Sequence, residues 1–274
     1  MMQLSSVYTP TQIRHGAAFA ARQYPRQAFD NLIDPVLQID WFEMGGPTFP
    51  PHPHAGFSAI TYVFADSENG FINRDSFGTV QQIRPGGLHC SRASRGIMHE
   101  EVPVPGGGIA HGLQIFMNLP AASQGDPAGA YAVPPAMVES RSGDGWQSRI
   151  AVDGTSVGGV PHALPSPVRI EEIKLDAATR HDIDVPAGWG GIIIALEGSV
   201  SVFEEILVLG QAIGFAADQA VGVPIATRSD TARIAMVSGA QLKQPIIAYG
   251  PLMTASPASL DAARRYVASL SIPA

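Results

Sequence analysis

The chain has 274 residues, of which 45% are hydrophobic and only 15% charged, enough apolar material for one large core or two ordinary ones and too much for wholesale disorder. A formal charge of −7, with Lys174 and Lys243 the only lysines, excludes an extended phosphate-seeking surface, so no direct nucleic-acid contact is expected; Arg92 and Arg95 make only a small basic spot. The single cysteine, Cys90, excludes an internal disulfide and any CxxC metal or redox motif, which fits a reducing compartment.

The first residues, MMQLSSVYTPTQIRHG, lack the apolar core of a signal peptide, and no apolar run is long enough to span a bilayer. The expectation is a soluble, cytoplasmic protein with no membrane partner. Gly 29 and Pro 23 are high for a helical protein and point to many short strands joined by turns.

In chain order, Val36 to Phe42 and Ser58 to Phe64 read as strands rich in β-branched and aromatic residues. Between them, GGPTFPPHPHAG carries prolines that forbid helix and suit an extended edge segment. A turn at Asp75–Gly78 precedes a strand from Thr79 to Ile83, and a second turn at Arg84–Gly87 precedes one from Leu88 to Ser94. Strands over Ile97 to Val102 and Gly112 to Asn118 continue the series. Turns at roughly ten-residue intervals argue for a sandwich or barrel.

From Leu119 to about Pro167 the chain is rich in Pro, Gly, Ala and Ser, with one strand expected over Trp146 to Val152. This places a domain boundary near residue 125, giving domains 1–125 and 126–274. The second half repeats the rhythm with strands over Val168 to Leu175, His181 to Val185, Gly191 to Leu196, Val200 to Phe203, Ile206 to Val208 and Arg233 to Ser238. One helix is expected at the C-terminus: Ser256 can cap it, Pro257 suits its first turn, and Leu260, Ala263, Val267 and Leu270 trace an apolar stripe suited to covering a sheet.

Four residues of metal-ligand type occur in two i, i+2 pairs, His52 with His54 and His99 with Glu101. On a strand, residues i and i+2 share a face, so each pair can aim both side chains at one point. Two such strands facing each other would supply three imidazoles and a carboxylate, a donor set for a divalent transition metal. His89, just after the Pro-Gly-Gly turn, competes for a place near that point. Cys90 alternates to the opposite face, and His111, His162 and His181 are expected to be structural or surface residues. No GxSxG elbow, P-loop or GxGxxG is present.

The stretch PPHPHAGFSAITYVF, followed by NRDSFG, RPGG and SRGIMHEEVP, resembles the pirin family. DPVLQIDWF upstream, GLQIFMNLP downstream and GPLMTASPASL near the C-terminus agree in order and spacing. The resemblance implies an all-β bicupin, two tandem cupin β-barrels or jelly rolls, with metal only in the N-terminal one. His52, His54, His99 and Glu101 stand at the family's ligand positions. It implies one divalent ion, Fe(II) first, with Ni, Co, Mn, Cu or Zn as alternatives. The activity implied is that of a quercetin 2,3-dioxygenase, opening a flavonol-like ring with dioxygen, with Glu101 as both ligand and base. The alternative is a regulatory protein that binds a protein partner and uses its metal as a redox sensor. An open apolar cavity above the metal would favour the enzyme, and a plugged one the regulator. Ala55, Ser58 and Asn73 depart from the family's usual residues and are expected to alter the surroundings of the ligands.

Overall fold

The two most apolar runs, Ser58–Phe64 and Gly191–Leu196, lack the in–out alternation of a half-exposed strand, which requires burial on both faces. In the computed structural model, which describes residues 1–273, they fall in strands Phe57–Val63 and Trp189–Glu197, each inside a seven-stranded antiparallel sheet. The first sheet runs in the order 129–133, 88–92, 57–63, 110–118, 36–44, 19–25 and 11–15. A four-stranded sheet, in the order 52–54, 97–103, 71–75 and 80–83, completes the N-terminal barrel. The C-terminal barrel repeats the plan with a seven-stranded sheet and a four-stranded one, and the fold is the expected all-β pair of barrels. The helix forms over Pro257–Val267, and the Ser256 hydroxyl accepts from the Ser259 amide at 3.1 Å as the cap. No helix among the described residues is long and apolar enough to cross a membrane.

The large sheets pack face to face between the barrels. Ile60, Tyr62, Leu113 and Ile115 from the first sheet share one core with Ile170, Ile192, Ile194 and Val237 from the second. Each large sheet thus has one face toward the partner barrel and the other lining its own barrel. A charged contact joins the halves at the rim: buried Arg233 donates to Glu172 at 2.8 Å and to Asp66 at 2.8 Å, and lies over the Phe64 ring.

Several strands have no counterpart in the sequence expectations. Thr11–His15 and Phe19–Pro25 extend the first large sheet, and Phe71–Asp75 lies at the centre of the small one. Strands are also exchanged between the halves. Met2–Leu4 pairs with Ala212–Ala217 in the C-terminal sheet, whereas Gly129–Val133 pairs with Leu88–Arg92 in the N-terminal sheet. The final hairpin and helix return to the first barrel, where Leu252, Ala263 and Val267 bury Ala55. Glycine is required at two of these junctions. A Cβ on Gly56, at φ +84°, would collide with the Met253 carbonyl, and one on Gly96, at φ +148°, would lie 2.7 Å from Val267.

The barrels differ in what fills them. The strands of the second barrel that match His52–His54 and Ile97–Pro103 in the topology are Arg180–Val185 and Val221–Ala226. Their buried side chains are Ile183, Val185, Val223 and Ile225, packed in an apolar cluster with Leu207 and Phe215. His181 lies half-buried on the same face of its strand as Ile183 and stacks on Trp146 with ring centroids 4.0 Å apart, and His162 sits in an exposed loop.

Candidate metal centre

The prolines flanking His52 keep the chain extended, so His52–His54 forms a short edge strand on Ile97–Pro103. In that antiparallel register His52 lies opposite His99 and His54 opposite Ile97. The three imidazole centroids form a near-equilateral triangle with sides of 4.8, 4.8 and 4.9 Å. One nitrogen from each ring lies within 4.8 Å of the others. His54 and His99 are buried and His52 is half-buried.

Each ring is oriented through its Nδ1. That of His52 lies 2.9 Å from the Pro50 carbonyl, that of His54 3.4 Å from the Pro251 carbonyl, and that of His99 3.1 Å from Asn73 Oδ1. All three partners are acceptors, so each Nδ1 carries the proton and each Nε2 keeps a free lone pair. Burial pushes the His54 imidazole down to about 3 and that of His99 well below its ordinary value, so both are neutral near pH 7. His99 Nε2 is buried with no hydrogen-bond partner, a cost of ~1–3 kcal/mol for a polar atom. A divalent cation at the centre of the triangle would satisfy it, so the donor set fits a metal.

Glu101 lines the same cavity but does not belong to the histidine triangle. Its carboxylate lies against the Thr61 hydroxyl, with Oγ1 2.8 and 2.7 Å from its two oxygens. Burial pushes the carboxyl up to about 7, with the Thr61 contact pulling the other way. Thr61 Oγ1 is also 2.9 Å from Gln114 Oε1, and its single proton serves one neighbour at a time.

The cavity above these groups measures about 240 Å³ and opens to solvent past Phe49 and the half-buried His52. Phe19, Phe42, Phe71, Phe116 and Met44 form its walls, and Asp40, Thr61 and Gln114 its polar part. Sequence reading missed these three because each sits in an ordinary strand run. The available signal was a polar side chain on the barrel-facing phase of an otherwise apolar strand.

The remaining candidates sort by strand phase. His89 points into the barrel, with Nε2 3.0 Å from Ser91 Oγ, but it neither joins the triangle nor lines the cavity. Cys90 points the opposite way into the core between the barrels, as expected from alternation. His111 is 3.5 Å from Asp66 at the rim of the domain contact. Of the three unusual positions, only Asn73 reaches the site, through His99. Ala55 is sealed beneath the C-terminal helix, and Ser58 faces Cys90 on the far side of its strand.

The buried imidazoles set the acid stability of the metal-free protein. Unfolded histidines take up protons below about pH 6.5, whereas burial keeps His54 and His89 neutral down to about 3 and about 4, and His99 neutral well below its ordinary value. Glu101 acts in the opposite sense, protonating near 7 when folded and near 4.5 when unfolded. Among these four groups the unfolded chain therefore binds more protons between pH 6.5 and 4.5, three imidazoles against one carboxyl, a difference that Asp40 and Glu171, whose carboxyls burial also raises, reduce. Stability should fall with falling pH by up to about 3 kcal/mol per unit in that window. Urea titrations of metal-free protein at pH 7, 6 and 5 measure this slope, and a flat profile would show that these rings are not held neutral.

Comparison with known proteins follows the same division into halves. The pirin family model matches residues 12–117, and the model of the pirin C-terminal cupin domain matches residues 170–266. A Pseudomonas aeruginosa protein provisionally named quercetin 2,3-dioxygenase is 29% identical, with 85% of each chain covered. Human pirin is 27% identical over 90% of this chain and 86% of its own. Among solved structures, a quercetin 2,3-dioxygenase from Acinetobacter baumannii superposes with a TM-score of 0.81 at 22% identity, covering 97% of this chain and 96% of the other. A bacterial pirin from Escherichia coli in complex with nickel(II) superposes with a TM-score of 0.65 at 18% identity, covering 88% and 99%. At those identities the two structures establish the shared fold alone. With both halves matched in order and across most of its length, this chain belongs to the pirin family, as a bicupin whose first barrel carries the histidine triangle.

Proposed function

We propose that this protein is a metal-dependent oxygenase that opens a flavonol-like ring with dioxygen. The observation that carries the reading is the cavity: three imidazoles converge at the base of an open, phenylalanine-walled space large enough to admit aromatic rings. A plugged barrel would have favoured the regulatory reading, and the second barrel of this chain shows what a filled interior is like.

In this reading His52, His54 and His99 hold the ion and Glu101 completes the set from the same face of its strand. The ion would supply positive charge for an enolate and the redox chemistry that dioxygen requires. Fe(II) is the first choice, with Ni, Co, Mn, Cu and Zn compatible with the same donors. A relative of this fold holds nickel(II).

The chain's own groups do the rest. The phenylalanine walls bind the flat rings and exclude water from them. Glu101, whose carboxylate lines the cavity beside the histidines, accepts the proton of the flavonol hydroxyl. Thr61 holds the carboxylate in one orientation while the proton moves.

The test is simultaneous consumption of quercetin and dioxygen by protein reconstituted with each metal and assayed at measured occupancy. Failure of the Fe, Ni, Co, Mn and Cu forms at full occupancy would overturn the reading and bring the regulatory one forward.

A further inference from the structure

Five polar residues cross the floor of the first barrel in one row. Gln23, Asp40, Gln114, Thr61 and His89 are successive Cα partners on neighbouring strands of the large sheet. Their strand neighbours Ile39, Leu113, Ile60 and Cys90 face the other barrel, so the row faces inward. Thr61 serves Glu101, but Asp40 has no task in the chemistry described so far.

The Asp40 carboxylate is held on one side only. Oδ1 accepts from Gln38 Nε2 at 2.8 Å and from Gln23 Nε2 at 3.3 Å. Oδ2 has no protein donor among the described residues, and no Lys, Arg or His forms an ion pair with Asp40. The side chain nonetheless lines a cavity whose walls are mostly phenylalanine. Asp40 is half-buried with this oxygen on the cavity side, so a ligand that dries it costs free energy unless the ligand itself donates to it. Asp40 lies two strands from Thr61, which at ~4.8 Å per strand places it about 10 Å along the floor from the residue holding Glu101. That distance exceeds the span of a single aromatic ring.

We propose that Asp40 determines specificity by accepting a hydrogen bond, on Oδ2, from a hydroxyl at the end of the substrate remote from the histidine triangle. The preferred ligands are then multi-ring phenols hydroxylated at both ends: one end lies at Glu101 and the histidines, the other reaches Asp40. The two glutamines on Oδ1 orient the free oxygen toward the cavity. This deepens the oxygenase reading and rests on it.

The test uses two flavonols that differ only at the remote ring, quercetin with two hydroxyls there and galangin with none. Each is titrated calorimetrically, under argon to prevent turnover, into nickel(II)-loaded protein. A hydrogen bond to a charged acceptor should favour quercetin by about tenfold to a hundredfold. Asp40→Asn should reduce that preference to a few-fold while galangin binds as before. Asp40→Ser provides the same reading should the asparagine variant melt early. A purely structural Asp40 would change both affinities together. Equal affinity of the native protein for both flavonols, or a preference that survives both substitutions, would overturn the role of Asp40 and leave the oxygenase reading intact. If neither flavonol binds native protein, the oxygenase reading falls and this proposal falls with it.

Discussion

His99→Ala should lower metal affinity by at least ~100-fold and leave both barrels folded. His99 is the most constrained of the three imidazoles: it is buried, its Nδ1 is tied to Asn73, and its Nε2 has no partner among the described residues. Disturbing an outer-shell partner of a ligand costs on the order of 10–100-fold in affinity, so removing the ligand itself should cost no less. The fold should persist because neither large hydrophobic core includes any of the three histidines. In the metal-free state the variant also removes an unsatisfied buried nitrogen, which offsets part of the cavity left by the ring. Metal content after equilibrium dialysis, with thermal melts of the stripped and loaded forms, tests both parts. If stripped native protein melts without a cooperative transition, the metal is structural, as in a zinc finger, and its assignment to function is wrong.

Glu101→Gln should retain measurable metal and lose most turnover, by on the order of 10²–10⁴-fold. The amide keeps the size of the side chain and can still bond to Thr61, so cavity shape and the three imidazoles are preserved. What is lost is the proton acceptor, because an amide does not take up a proton where a carboxylate does. Rates must be expressed per bound metal, since partial ligand loss would otherwise mimic the result. The pH dependence provides a second measure: the rise in native kcat/KM with Glu101 ionisation should be absent from the variant. Turnover within tenfold of native at matched occupancy would remove Glu101 from the role of base.

The features legible in the sequence are those that local backbone geometry determines. A strand places i and i+2 on one face, so HPH and HEE predict converging ligands before any partner strand is known, and His52, His54 and His99 do converge. The same geometry separates His89 from Cys90. The terminal helix is equally local, its cap and apolar stripe lying within fifteen residues. Runs such as SAITYVF announce burial on both faces, although only the packed sheets show that one face meets a second barrel.

The tertiary structure alone decides what stands beside these residues. Asp40, Gln114 and Thr61 form one row because three strands far apart in sequence pair in a particular register, and a slip of one residue would turn each side chain to the other face. The acceptors that set the imidazole tautomers come from Pro50, Asn73 and Pro251, the last nearly two hundred residues from His54. Met2–Leu4 is too short to announce itself and becomes a strand only because the edge of Ala212–Ala217 offers it hydrogen bonds. Periodicity is a property of each segment, whereas register and edge pairing are set by contacts between segments. The histidine triangle was therefore visible in the sequence, while the cavity above it was not.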